Sequence, residues 1–182
     1  MFDIFTRPVV YIVGIFLTLV VVFNIYIAKM DTNVQTYCND VIEEFVDEVR
    51  VSGYISAESY LEMTRKLNST GNLYDISIIH QSRFCVPKTN PDGTEIVVDG
   101  EGKTEYTDSF YTYNKEDILQ ILFPEGNEYG RYDMKHGDFI KVSLSLKEPT
   151  MGAKLYSKWT GKALKTISGT YSGYIGNMGN EY

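Results

Sequence analysis

The chain has 182 residues and a formal charge of −7, from 17 Lys and Arg against 24 Asp and Glu. With no run of basic residues to neutralise phosphates, nucleic acid is excluded as a partner. The 15 Tyr and 15 Gly fit a turn-rich β domain outside the cytoplasm.

Residues 8–27, PVVYIVGIFLTLVVVFNIYI, carry no charge. A helix rising about 1.5 Å per residue crosses a hydrocarbon core of about 30 Å in roughly 20 residues. A cleaved signal peptide has a shorter apolar region and small residues at the cut. Here Tyr26 stands two places before Ala28, so an uncleaved anchor is expected. Arg7 before the run and the acidic stretch after it place the N-terminus inside. The expected order is a cytoplasmic tip at 1–7, a transmembrane helix at 8–28 and an extracytoplasmic α+β head at 29–182. Within the run, Thr18 can bond its own helix backbone. Asn24 has two readings, snorkelling to the interface or contact with a neighbouring helix.

Past Lys29 the apolar positions become periodic: Val34, Cys38, Val41, Ile42, Phe45, Val46 and Val49. Steps of three and four make one stripe on an amphipathic helix over 31–52, with Asp40, Glu43, Glu44, Asp47 and Glu48 mostly off it. No Gly or Pro separates the two halves, so a single helix should run to a glycine cap at Gly53. About 130 residues remain for one domain with its own core. Cys38 lies on the stripe and Cys85 is far away in sequence. Outside the cytoplasm the two could form a disulfide clamping the helix onto a strand, or both could be small buried hydrophobes.

Ser56 is placed to cap a second helix from Ala57 to about Leu67, with Tyr60, Leu61, Met63, Thr64 and Leu67 as its stripe. The turn closing it contains Asn68-Ser69-Thr70, a glycosylation pattern that a helix-ending turn also explains. Residues 73–80 alternate as a strand with Tyr74, Ile76 and Ile78 on one side. A short strand at 83–86 follows. Turns at Pro91-Asp92-Gly93 and 99–102 flank another strand. Residues 103–113 predict an edge or loop-linked strand, Asn114 caps a short helix over 115–122, and 125–137 is expected to be loop. The clearest strand is 138–147, where Ile140, Val142, Leu144 and Leu146 alternate with polar residues. A helical or irregular excursion at 151–162 carries Trp159, the only tryptophan. A last strand over 167–175 runs into the Gly-rich tail at 176–182.

Catalytic signatures are lacking. The two histidines, His80 and His136, belong to no HExxH, and there is no phosphate-binding Gly-rich loop or Gly-x-Ser-x-Gly elbow. Both histidines are expected at surface or turn positions, and the paired carboxylates on the solvated face of a helix. The acidic turns near 92–101 miss the EF-hand spacing, and hairpin turns explain them without calcium. No enzyme activity, cofactor or metal is expected.

An apolar helix continuous with the packing helix of an α+β head is the plan of type IV-like pilins. The membrane run, followed by VIEEFVDEVRVSGYISAESYLEMTRKLNSTGNLYDISIIH and then GDFIKVSLSLKEPTMGAKL, resembles pilin-like TadE-like pseudopilins associated with tight-adherence (Tad) pilus assembly in Gram-positive bacteria. The resemblance covers about two-thirds of the chain by overall pattern. It implies a membrane-anchored accessory component of a pilus or secretion assembly, with a long helix packed on a small antiparallel sheet. Implied partners are other pilin-like subunits, membrane proteins of the machinery and the lipid bilayer. The implied assembly face of the helix carries Asn24, Val34, Val41 and Phe45. The chain departs from processed pilins in one respect: five residues after Gly14 stands Leu19, not Glu, and Glu43 is the first glutamate. The competing expectation is a tethered extracytoplasmic domain binding a small ligand or cell-wall polymer through Tyr106, Phe110, Tyr111 and Tyr113. Packing of these aromatics in the head's own core is the plainer account of them.

Overall fold

The computed structural model describes residues 3–93, 96–126, 128–162 and 166–176. Its dominant element is α1, Asp3–Ser52, a single helix of 50 residues and therefore about 75 Å long. Of the tip expected at 1–7, residues 3–7 belong to this helix, and residues 1–2 lie outside the described part. Of the tail at 176–182, only Gly176 lies inside it. Gly53, at φ 78°, ends the helix and donates its N–H to Val49 O at 2.8 Å.

After α1 come β1 (Tyr54–Ser56), α2 (Ala57–Asn68), β2 (Tyr74–Pro87), β3 (Tyr106–Asn114), α3 (Lys115–Leu122), β4 (Arg131–Asp133), β5 (Phe139–Leu146), α4 (Met151–Thr160) and β6 (Ser168–Tyr174). Ser56 caps α2 through a reciprocal capping box with Ser59. Four strands form an antiparallel sheet in the order β3-β2-β5-β6, and β1 pairs with β4 in a separate two-stranded sheet. The fold is thus α+β, with a long apolar N-terminal helix and a small antiparallel sheet.

The core lies between the second half of α1 and one face of the sheet. Cys38, Val41, Ile42, Phe45, Val46 and Val49 of α1 meet Ile76, Ile78, Ile140, Val142 and Leu144. Met63 and Leu67 of α2 and Ile118 and Leu122 of α3 close its sides. Each such side chain contributes about 1.5–3 kcal/mol when fully buried. The helix crosses β6 closely: Gln35 exchanges two hydrogen bonds with the Ser168 backbone, at 2.8 and 2.9 Å. A Cβ on Gly169 would meet the side chains of Asn39 and Ile42, which would have to shift to admit it.

Three sequence expectations change. The strands at 73–80 and 83–86 are one 14-residue strand, because β3 pairs along its whole second half. Among the described residues, the strand expected between the two turns is present as bridges, Thr89 to Ile96 and Val98 to Thr104. The loop at 125–137 contains β4, whose Tyr132 is buried opposite Ile55 of β1. Three residues are too few for a periodic signal.

Candidate functional site

The first half of α1 meets the rest of the described chain at its end, where Ile27 packs against Gly152 of α4. From Val9 to Tyr26 its large apolar side chains are exposed, save for half-buried Val20. Arg7–Ser52 is the one helix among the described residues long and apolar enough to cross a membrane. Exposure on this scale marks a surface made for lipid or another protein rather than water.

The four residues expected on an assembly face of the helix lie in different surroundings. Val41 and Phe45 are buried in the head's core, and Val34 packs partly against it. Val41 and Phe45 hold the helix to its own sheet and are covered by it. Asn24 Nδ2 donates to Val20 O at 2.7 Å, one turn back on the same helix. The spacing that revealed the stripe could not say whose surface covers it.

The disulfide is overturned: both cysteines are free. Cys38 is buried, and its thiol donates to the Tyr74 hydroxyl at 3.3 Å. Burial raises its pKa, and the Tyr74 contact offsets only part of that. Cys85 is exposed eleven positions further along the strand that Tyr74 begins. At about 3.3 Å per residue Tyr74 and Cys85 are roughly 35 Å apart, so Cys38, at the Tyr74 end, is far outside the ~7 Å limit for Cα atoms in a disulfide.

His80 is not a surface residue. It is 3% exposed, between Tyr132 Oη at 2.7 Å from Nδ1 and Asp138 Oδ2 at 2.9 Å from Nε2. Burial lowers the His80 pKa and outweighs the pull of Asp138. Burial alone would raise the Asp138 pKa. The backbone N–H of Lys135, the His80 ring and the backbone N–H of Arg83 reverse that, and the carboxyl is held below its ordinary value. The arrangement is a neutral imidazole donating Nε2–H to a carboxylate and accepting from the tyrosine hydroxyl. Tyr113 stacks on the ring with centroids 5.5 Å apart. The ring nitrogens, the Tyr132 hydroxyl and both Asp138 oxygens are engaged, so the cluster ties β2 to β4 and to the turn that leads into β5. His136 lies in an exposed turn, as expected.

The aromatics of β3 do not pack the core. Tyr106, Phe110, Tyr111 and Tyr113 are all exposed. β5 pairs with β2 only as far as Gln81, whereas β3 continues to Pro87. Residues 82–87 and 106–111 therefore form a two-stranded arm beyond the edge of the core, with Tyr111 stacked on Phe84 at 4.2 Å.

A further surface lies where the apolar half of α1 ends. Phe23, Tyr26 and Met30 of α1 and Met151 and Leu155 of α4 line a cleft of about 330 Å³. Thr150 caps α4 by accepting the Ala153 N–H at 3.0 Å, and its hydroxyl donates to Asp31 Oδ1, also at 3.0 Å. The sequence signal for this surface was present, as Met151, Leu155 and Trp159 recur every fourth residue, but it needed a confirmed helix. Among the described residues, no group of three or more His, Cys, Asp or Glu could hold a metal ion. No protein-family model, curated protein or solved structure matches the chain.

Proposed function

We propose that the protein is a single-pass membrane protein, N-terminus inside and head outside, acting as a pseudopilin-like accessory component of a pilus or secretion assembly. The observation that carries this reading is the unbroken α1. Between Val9 and Tyr26 its first half exposes mostly apolar side chains suited to lipid or neighbouring helices, and its second half is the spine of the head's core. A rigid rod of this kind transmits the position of the head to the membrane, which a flexible tether cannot do. Association is then mediated by the anchor within the bilayer and by the exposed edge of β3 outside it. The missing glutamate after Gly14 favours an uncleaved accessory part over a filament subunit.

The test is membrane extraction followed by crosslinking from cysteines placed at Ile15 and Leu19. Recovery of homo- or hetero-oligomers through these positions is expected. Recovery of monomer alone would remove the assembly role.

A second reading, a tethered binding domain, is favoured by the exposure of Tyr106, Phe110 and Tyr111. Flat aromatic side chains on a projecting ribbon suit carbohydrate or peptide ligands. A thermal-shift screen with wall-polymer fragments, on wild type and a Tyr111→Ala variant, would show a Tyr111-dependent rise if this reading is right.

A further inference from the structure

The helix α4 presents an outer face that its own chain leaves uncovered. Met151 is 75% exposed, Leu155 44% and Trp159 63%, and none of its residues is buried. Spaced four apart, the three side chains form one row along the helix. Lys154 and Lys158 make a parallel row that Lys162 continues past the helix end, and α4 contains no acidic residue. Over residues 147–165 the chain carries five lysines against the single acid Glu148, within a protein whose net charge is −7. Glu148 pairs with Lys154 at 2.9 Å.

The location of this helix narrows what can cover it. Its first turn packs on Ile27, so closely that a Cβ on Gly152 would come within 2.7 Å of Ile27 Cγ2. The Thr150–Asp31 hydrogen bond holds it at the first acidic residue after the apolar run. The apolar row of α4 therefore continues the exposed apolar surface of α1 at the level where that surface meets water. An amphipathic segment with lysines beside an apolar row, and a tryptophan in that row, matches the headgroup region of a bilayer.

We propose that α4 is an interfacial helix: it inserts Met151, Leu155 and Trp159 among the headgroups and first acyl carbons of the membrane that α1 crosses. Lys158 and Lys162 then lie against anionic lipid headgroups. This rests on the reading of α1 as a membrane span. It adds a second, surface contact that fixes the rotation and tilt of the head. The lysines lie far along the chain from the span and reach the membrane only through folding, beyond the short flanking window that sets orientation.

Trp159 is the only tryptophan, so the full chain reports on itself. It would be reconstituted into phosphatidylcholine vesicles, with and without phosphatidylglycerol, carrying brominated acyl chains. Expected are quenching of Trp159 by the brominated lipid, protection from acrylamide, and stronger quenching with the anionic lipid. Lys158→Glu and Lys162→Glu, at exposed positions outside the core, should each reduce the docked-to-undocked ratio about fivefold on the anionic vesicles. Full acrylamide access, in protein that resists carbonate extraction, would overturn the interfacial helix and leave the anchor standing. Burial of Trp159 without bromolipid quenching would replace lipid by a protein contact and equally overturn it. Release of the chain by carbonate would remove both anchor and interfacial helix.

Discussion

Asp31 and Thr150, far apart in sequence, meet at 3.0 Å where the apolar half of α1 gives way to the head. The Thr150 hydroxyl donates to the Asp31 carboxylate while accepting the Ala153 N–H. One side chain thus starts α4 and fastens it to α1. Thr150→Ala removes both bonds and should destabilise α4 by about 1 kcal/mol from the cap alone. Hydrogen exchange of the amides at 154–160 should then be roughly fivefold faster or more, with the core amides of β5 unchanged. Equal exchange in variant and wild type would show that α4 is held by other contacts.

The buried His80–Asp138 pair makes stability depend on pH in a stated direction. Both groups have lowered pKa values in the folded protein. Below the ordinary histidine value of about 6.5, the unfolded chain takes up a proton that folded His80 refuses, so stability falls as pH falls. Asp138 acts in the same direction in a lower window: its contribution is full above the ordinary carboxylate value of about 3.9 and is lost as pH drops toward its folded value. Urea midpoints of the detergent-solubilised chain should therefore decrease from pH 7 to pH 5, with the unfolding free energy falling by at most about 1.4 kcal/mol per pH unit for His80. His80→Gln should cost about 1.5–3 kcal/mol at pH 7 and flatten that part of the curve. A wild-type midpoint independent of pH over this range would refute the neutral-imidazole arrangement.

The two cysteines should differ sharply in access. In the native protein a maleimide is expected to modify Cys85 alone. Cys38 is shielded by the core and disfavoured as a thiolate by burial. In urea both should react, and the unreduced mass should correspond to two free thiols. A missing pair of hydrogens would restore the disulfide.

Continuity of α1 at the junction can be tested by inserting Gly-Pro between Asp31 and Thr32. Proline inside a helix costs about 3 kcal/mol or more and breaks the rod. The head's core starts beyond this point, at Val34 and Cys38. The head should stay folded, judged by an unchanged near-UV circular dichroism spectrum, while crosslinked assemblies disappear. Assemblies that persist would show that rigid coupling is not required, and would favour the tethered binding domain.

Much of this protein was determined by periodicity within single segments. The uncharged 8–27 run, the stripe from Val34 to Val49, the alternation from Ile140 to Leu146 and the caps at Ser56 and Asn114 are local patterns. Each obeys helix or strand geometry without reference to other parts of the chain. What periodicity cannot supply is the partner of an apolar face. Only tertiary packing decided that Val41 and Phe45 are covered by their own sheet while Ile15 and Leu19 are not. Only packing drew His80, Tyr132 and Asp138 into one buried cluster, since each lies on a different strand or turn and carries no pairing signal of its own. It also decided that Cys38 of α1 lies against Tyr74 at one end of β2 and Cys85 near the other end, because the sequence does not show that two short strands are one. And it carried α4 back to the end of the apolar run, where a row of exposed side chains that means little alone lies beside the exposed apolar half of α1.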